Sequence, residues 1–370
     1  MIEQNIMPGE AGETLHNADG EAEIDWRKQL TPIVVGIVVV AVFFFYVNPQ
    51  LQSLHQTRYT TAQTQPPTST TFATVTSTIT QTTSSQAATC TTSEAYVNRT
   101  ELILHVLKLI NDDRADFKLS PVALGNNPAA QRHAEDLLEH NCLSHWGSDG
   151  MKPYMRYTIL GGKNFVEENA AAVFISNNST TPSTEEIKLM FEDLERKMVY
   201  NDSASDWGHR KNILDPSHTH VNIGVAYSNR AVIVVQDFEN VLVDWQTFDT
   251  KNTKVTLKGR FLTSLQPYLI LIYYDPLPMP LTADQLRQPP YNGGYSMGNK
   301  LGAVLNRGYQ VSIPYIYATK WSQLGADFEI SFDFARFVQK EGVYTVVLEV
   351  VDDDGNLYLA TSYSIFIRSA

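Results

Sequence analysis

Three short stretches carry the residue types that do chemistry. Ser144-His145-Trp146-Gly147-Ser148-Asp149-Gly150 sets a histidine in a Gly- and Asp-containing loop. Glu167-Glu168-Asn169-Ala170-Ala171 sets acids against a run of small residues. Trp207-Gly208-His209-Arg210-Lys211-Asn212-Ile213-Leu214 sets a histidine and an arginine after a glycine hinge, beside a turn entering a core. A buried acid needs a partner, and His145 or His209 would supply one for Glu168. Neutral imidazole nitrogen is a good ligand for zinc or another divalent cation. Two histidines leave coordination positions to water, so such binding would be weak and reversible, with His145 and His209 as ligands and Glu168 orienting an imidazole or a water. The same three residues permit a second chemistry: Glu168 as a general base, with the histidines holding water directly or through a metal. Neither a Gly-x-Ser-x-Gly elbow nor a His-Glu-x-x-His motif is present, and Ser144 and Ser148 are ordinary loop serines. The third alternative is a metal-free hydrogen-bonded cluster that ties three segments together.

The elements that must position these residues alternate helix and strand. Ile103, Val106, Leu107 and Ile110 recur at helical spacing from Thr100 to Asn111. Pro128 suits the first turn of a second helix, whose inner face is Ala129, Ala130, His133, Ala134, Leu137 and Leu138, with His133 either structural or chemical. Pro153 to Tyr157 reads as a short helix ended by Gly161-Gly162. Ser183 and Glu186 form a capping box for a helix over about 184–200. Its Glu192, Asp193 and Glu195 read as a solvated face, from which one acid could turn toward the site. Val221, Ile223, Val225 and Tyr227 alternate at period two, Asn229-Arg230 turns, and Val232 to Phe238 returns as a buried strand.

Taken together, residues 100 to 240 resemble the CAP superfamily of cysteine-rich secretory, antigen-five and pathogenesis-related-one proteins. Four ordered motifs carry the resemblance: Gln131-Arg132-His133-Ala134; Ser144-His145 with Gly147-Ser148-Asp149-Gly150 and Pro153; Glu168-Asn169-Ala170-Ala171; and Gly208-His209-Arg210-Lys211-Asn212-Ile213-Leu214. Gly224 and Gln236-Asp237-Phe238 complete it. It implies an α-β-α sandwich in which His145, His209 and Glu168 face a central cleft. Many eukaryotic relatives add a glutamate from a Trp-x-x-Glu motif, but here Met190-Phe191-Glu192-Asp193 stands, leaving Asp193, Glu192 or no residue as the fourth group. Glu167 replaces the usual glycine, and the disulfides of animal and plant members are missing. The resemblance implies no single activity: the family has been linked to metal, sterol and lipid binding, to peptidase-like claims and to protein partners.

The remainder of the 370 residues sets the context. The net charge of -12 with no long Lys/Arg run excludes nucleic acid as an expected partner. Residues 1–29 read as a disordered acidic cytoplasmic leader. Leu30 to Val47 is uncharged and follows Arg27-Lys28, so a transmembrane helix is expected over 30–50 with the amino terminus inside. Of the 37 residues from Thr57 to Ser93, 21 are Ser or Thr, which makes 51–93 a stalk. The CAP-like domain follows over 94–240. Over 241–370 the period is two almost throughout, and six to eight strands are expected in a β-sandwich that weakly resembles immunoglobulin-like domains. Residues 276–300, rich in Pro, Gly and Asn, read as a long loop. Asp352-Asp353-Asp354 is a solvated turn or a calcium site, and Cys90 and Cys142 form one bond or stay thiols. The fold class is therefore α+β: an α-β-α sandwich, then an all-β sandwich, behind one membrane helix and a stalk. The function expected is a cell-membrane-anchored extracellular binding or interaction protein, its ligand a lipid, a cell-envelope component or a protein, the alternative being a peptidase-like hydrolase at the cell surface.

Overall fold

The computed structural model describes residues 16–17, 98–176 and 180–368. The expected transmembrane helix over 30–50 and the stalk lie outside them, as does the leader apart from His16–Asn17, which pairs antiparallel with Tyr309–Gln310. Among the described residues no helix is long and apolar enough to cross a membrane.

The first region is built on a four-stranded sheet. Its strands are β1 (Ala123–Leu124), β2 (Phe165–Phe174), β3 (His220–Tyr227) and β4 (Ala231–Asn240), in the order β1-β3-β4-β2. Because side chains alternate across a strand, each face of this sheet meets its own helices. On one face Ala171, Val221, Val225, Val232 and Val234 pack against Leu102, Val106 and Ile110 of α1 (Arg99–Asp116), Ile187 and Phe191 of α4 (Thr184–Tyr200), and Ile213 of α5 (Gly208–Ile213). On the other, Ala170, Ala226, Ile233 and Val235 meet Ala130, Ala134 and Leu137 of α2 (Ala129–His140). Val166 meets Tyr154, Met155 and Tyr157 of α3 (Pro153–Ile159). This is the expected helix-sheet-helix layering. Gly224 lets α2 lie flat on β3: a Cβ there would meet the Ala130 carbonyl oxygen at 2.1 Å. Helix α4 starts at the expected capping box, with Ser183 and Glu186 bonded reciprocally. Helix α1 runs to Asp116, past the expected end near Asn111, because buried Arg114 continues its inner face and bonds the carbonyls of Ser120 and Ile213.

The second region is two β-sheets around one apolar core. Strands β5 (Val243–Lys251), β6 (Lys254–Phe261), β10 (Lys320–Leu324) and β11 (Asp327–Asp333) form one sheet in the order β10-β11-β6-β5. Strands β7 (Leu265–Asp275), β8 (Asn299–Leu305), β9 (Tyr315–Tyr317), β12 (Gly342–Asp352) and β13 (Leu357–Ile367) form the other, ordered β9-β8-β7-β12-β13. Leu257, Phe328, Ile330, Ile270, Ile272, Val346 and Leu348 fill the space between them. Among the described residues the two sheets hold nine strands, one more than the upper end of the expectation. The two regions belong to one compact unit from Val97 onward. The Tyr154 hydroxyl and the Lys152 ammonium donate to the two oxygens of buried Asp275, at 2.7 and 2.8 Å. Ser362 of β13 accepts from the Val166 amide at 3.3 Å.

Candidate functional site

Strand β2 is an edge strand, and its alternation sends Glu168 to one face and Asn169 to the other. Glu168 is buried. One of its oxygens accepts from His145 Nδ1 at 2.8 Å and the other from the Arg156 guanidinium. Arg156, on α3, also donates to the carbonyls of His145 and Met151, so it fixes the loop as well as the acid. His133 Nε2 lies 2.9 Å from the Ser144 carbonyl and 3.7 Å from Glu168. Burial and then the nearby Arg156 push the His133 imidazole down to about 4, so it is neutral and donates to Ser144, a structural role for that ring. For Glu168, burial alone would raise the carboxyl. Arg156, together with the His145 hydrogen bond, outweighs it and holds the group well below the usual carboxylate range.

Asp237 faces Glu168 directly across the strand pairing. It is fully buried, and burial followed by the Glu168 charge holds it well above the usual range. A charged Glu168 beside a protonated Asp237 is the arrangement two carboxyls take when one cation faces both.

His209 stands at the start of α5. Its Nδ1 is 2.7 Å from Asp202 Oδ1, while Asp202 Oδ2 accepts the Arg210 amide at 3.2 Å. Burial opposes ionisation of Asp202, but the His209 bond wins and lowers it. Asp206 and Trp207 both take left-handed backbone, at φ 51° and 62°. Non-glycine residues reach that region at a cost, and the Asp202 carbonyl accepting from the Trp207 amide at 3.0 Å holds them there. The two histidines are tied to adjacent positions of β2: Glu168 holds the His145 ring, and the Asn169 side chain donates to the His209 carbonyl at 3.2 Å. In both rings Nδ1 is taken by a carboxylate, so Nε2 is the nitrogen that can ligate.

On the Asn169 face, Asn169 accepts from Asn212 at 2.9 Å and donates to Gln236, which donates to Glu195 at 2.6 Å. Glu195 is buried, and burial with the charge of Asp113 pushes it up to about 8. Glu192 and Asp193 instead point outward, to His105 at 3.3 Å and to Arg196 and Lys197. The buried acid of this helix is therefore Glu195, one turn beyond Phe191 on the apolar face. Further along, Glu167, Asp215 and His218 place one ligand atom each within 4.8 Å of one another, a set that could coordinate a divalent ion. Burial and the Asp215 charge push Glu167 up to about 7. His218 already faces Asn240 and Asn212 oxygens with both ring nitrogens, at 2.7 and 2.8 Å. Among the described residues this is the one group of three or more such side chains. His145, Glu168 and His209 do not close to that spacing.

Sequence reasoning missed Arg156, Asp202 and Asp237 as site residues, and offered Glu195 only as one of three helix acids that could turn inward. It also missed Tyr295, whose hydroxyl accepts the Glu168 amide at 3.0 Å and whose ring lies 4.9 Å from His145. Asp352 proves to be a turn builder: its carboxylate accepts from the amides of Asp354 and Asn356 and from the Tyr358 hydroxyl. Cys142 is a free, buried thiol, pushed up to about 11 by burial; Cys90 lies outside the described residues.

Residues 107–238 match the family model described as CAP, the cysteine-rich secretory protein family. Over this segment the chain is similar to that family. An extracellular protein containing an SCP domain from Bacillus anthracis strain Ames is 19% identical, with 38% of this chain and 41% of that chain covered and a TM-score of 0.28. The CAP domain of enterococcal PrgA is 14% identical, over 38% and 60%, with a TM-score of 0.27. Murine CRIg is 11% identical, over 34% of this chain and 97% of that one, with a TM-score of 0.18. The chain thus spans less than two thirds of the first two structures. No curated protein matches it.

Proposed function

We propose that the chain is a membrane-anchored, extracytoplasmic CAP-domain binding protein, and that Nε2 of His145 and Nε2 of His209 together hold one divalent ion, zinc by preference. The observation that carries the metal reading is the pair of carboxylate-held imidazoles, His145 on Glu168 at 2.8 Å and His209 on Asp202 at 2.7 Å. A carboxylate behind Nδ1 fixes the tautomer and the orientation of the ring, which is the usual support of a metal-bound histidine. Water completes the coordination, so binding is weak, and uptake falls in acid because a protonated imidazole does not ligate. The likeness to that family suggests an extracellular setting, and the uncharged run after Arg27-Lys28 supports the anchor. The ligand class is a lipid, an envelope component or a protein.

A zinc titration of the full chain at neutral pH, beside His145→Ala, His209→Ala and Glu167→Gln, tests the metal. The two histidine variants are expected to lose at least about tenfold in affinity, with Glu167→Gln unchanged. Equal uptake by all four proteins ends the claim, and loss confined to Glu167→Gln moves the ion to the Glu167–Asp215–His218 set. The alternative is a hydrolase in which Glu168 acts as general base and the two histidines hold the water, directly or through a metal. The same chains with Glu168→Gln, assayed on peptides, decide it: full turnover in Glu168→Gln and His209→Ala removes that mechanism.

A further inference from the structure

After β7 the chain leaves the sandwich at Pro276 and returns to it at β8. Between them it lies on the CAP-like domain as a strap. The Leu281 amide donates to the Ser148 carbonyl at 2.8 Å, and Ser144 Oγ donates to the Tyr291 carbonyl at 2.7 Å. Arg287 donates to the carbonyls of His140 and Asn141 at 3.0 and 3.1 Å. Leu286, fully buried, sits among the α2 alanines. Gly150, at φ +80°, lies so close to Met279 that a Cβ would meet the Met279 carbonyl oxygen at 2.2 Å. The strap is therefore seated on both sides of the loop that carries His145.

We propose that Tyr295, at the end of this strap, is a residue of the His145–Glu168 site and controls access to the His145 imidazole. An edge strand leaves every second amide without a strand partner. At Glu168 that amide is taken by the Tyr295 hydroxyl at 3.0 Å, so the sandwich supplies the bond that a neighbouring strand would otherwise make. The phenol ring then lies against the imidazole, with centroids 4.9 Å apart and planes tilted by 55°. Glu168 occupies Nδ1 and Tyr295 covers a flank, so a reagent or ligand reaches Nε2 through what remains. The His145 side chain is 14% exposed against 22% for His209. Tyr295 lies outside residues 107–238 that match the family model, so the second domain completes a site that the first begins. This deepens the proposed function by naming what gates it, yet it needs no metal to be tested.

The experiment is carbethoxylation of the full chain by diethyl pyrocarbonate in zinc-free buffer, with each histidine followed by peptide mass mapping. In the wild-type chain His145 is expected to react more slowly than His209. Tyr295→Ala is expected to speed His145 by about tenfold and leave His209 unchanged; Tyr295→Phe, which keeps the ring, changes it by less than about threefold. Arg287→Ala loosens the strap far from the site and is expected to speed His145 while leaving His209 unchanged. Unchanged His145 reactivity in a folded Tyr295→Ala chain overturns the proposal, as does a parallel rise at His209. If Tyr295→Ala does not fold, Arg287→Ala decides, and an unchanged His145 rate there overturns it equally. Zinc uptake is read separately, so loss of the metal reading leaves this outcome intact.

Discussion

Glu168 and Glu195 are both buried carboxyls beside the same sheet, yet their surroundings drive them in opposite directions. Glu168 has a guanidinium and an imidazole as partners; among the described residues Glu195 has one amide, and one of its oxygens has no partner. Glu195 is held neutral up to about 8, against an unfolded value near 4.5. Its folded pKa is raised, so the unfolded chain releases this proton first and stability falls as pH climbs from about 4.5 to about 8. Glu195→Gln does not titrate. It is expected to remove that loss and to be more stable than the wild type by about 1–3 kcal/mol at pH 8, with the gap closing toward pH 5. Urea unfolding across this range checks it; parallel curves would contradict the assignment. The residues of the recognised motifs were legible because their types and order are specific. Glu195 was not, because an acid on an acidic helix reads as solvated. The signal was its phase: it lies four residues after Phe191 and three before Met198, both buried in the core.

Elements with a strong local signal were legible, and those defined by a partner were not. The capping box of α4 and the alternation of β3 and β4 need only their own sequence. Strands β9 and β10 are too short to show a period. The strap reads as loop because Pro, Gly and Asn say only that no strand forms; its seat on α2 depends on Leu286 and Arg287, at the end of a single helical turn (Ala283–Leu286) opened by a Thr282–Gln285 capping box and too short to show a period. The layering of α2 on β3 rests on Gly224, and Gly224→Ala tests it. The added methyl meets backbone, not a movable side chain, so the cost should exceed about 1–3 kcal/mol for simple overpacking. Gly161→Ala meets nothing within 4 Å but carries a positive φ of 91°, so it should cost only about 1 kcal/mol in backbone strain. Denaturant midpoints of the two variants give the comparison, and equal costs would remove the close contact.

At the scale of the whole molecule, the order of regions was readable from composition and period, while the contact between the two folded regions was not. Asp275 ends a strand in the sequence and looks like a turn residue. Its burial under Tyr154 and Lys152 appears only in three dimensions. These contacts argue for a protease pattern. On intact cells, trypsin or proteinase K is expected to cut within the Ser/Thr-rich 57–93 segment and release the CAP-like region and the sandwich as one fragment. Two separate fragments would show that the strap does not hold them, and protection of both regions until the membrane is broken would reverse the proposed topology.

The strap has a quantitative consequence for whatever binds beside it. Tyr295 is tied to the site by its own chain, so it competes intramolecularly, at an effective concentration on the order of millimolar for a short tether. A soluble ligand that needs the space over His145 meets this competitor in every molecule, and its apparent affinity is its affinity for the uncovered site scaled by the fraction uncovered. Weak, abundant ligands are then filtered out, and a ligand that also grips the strap escapes the penalty.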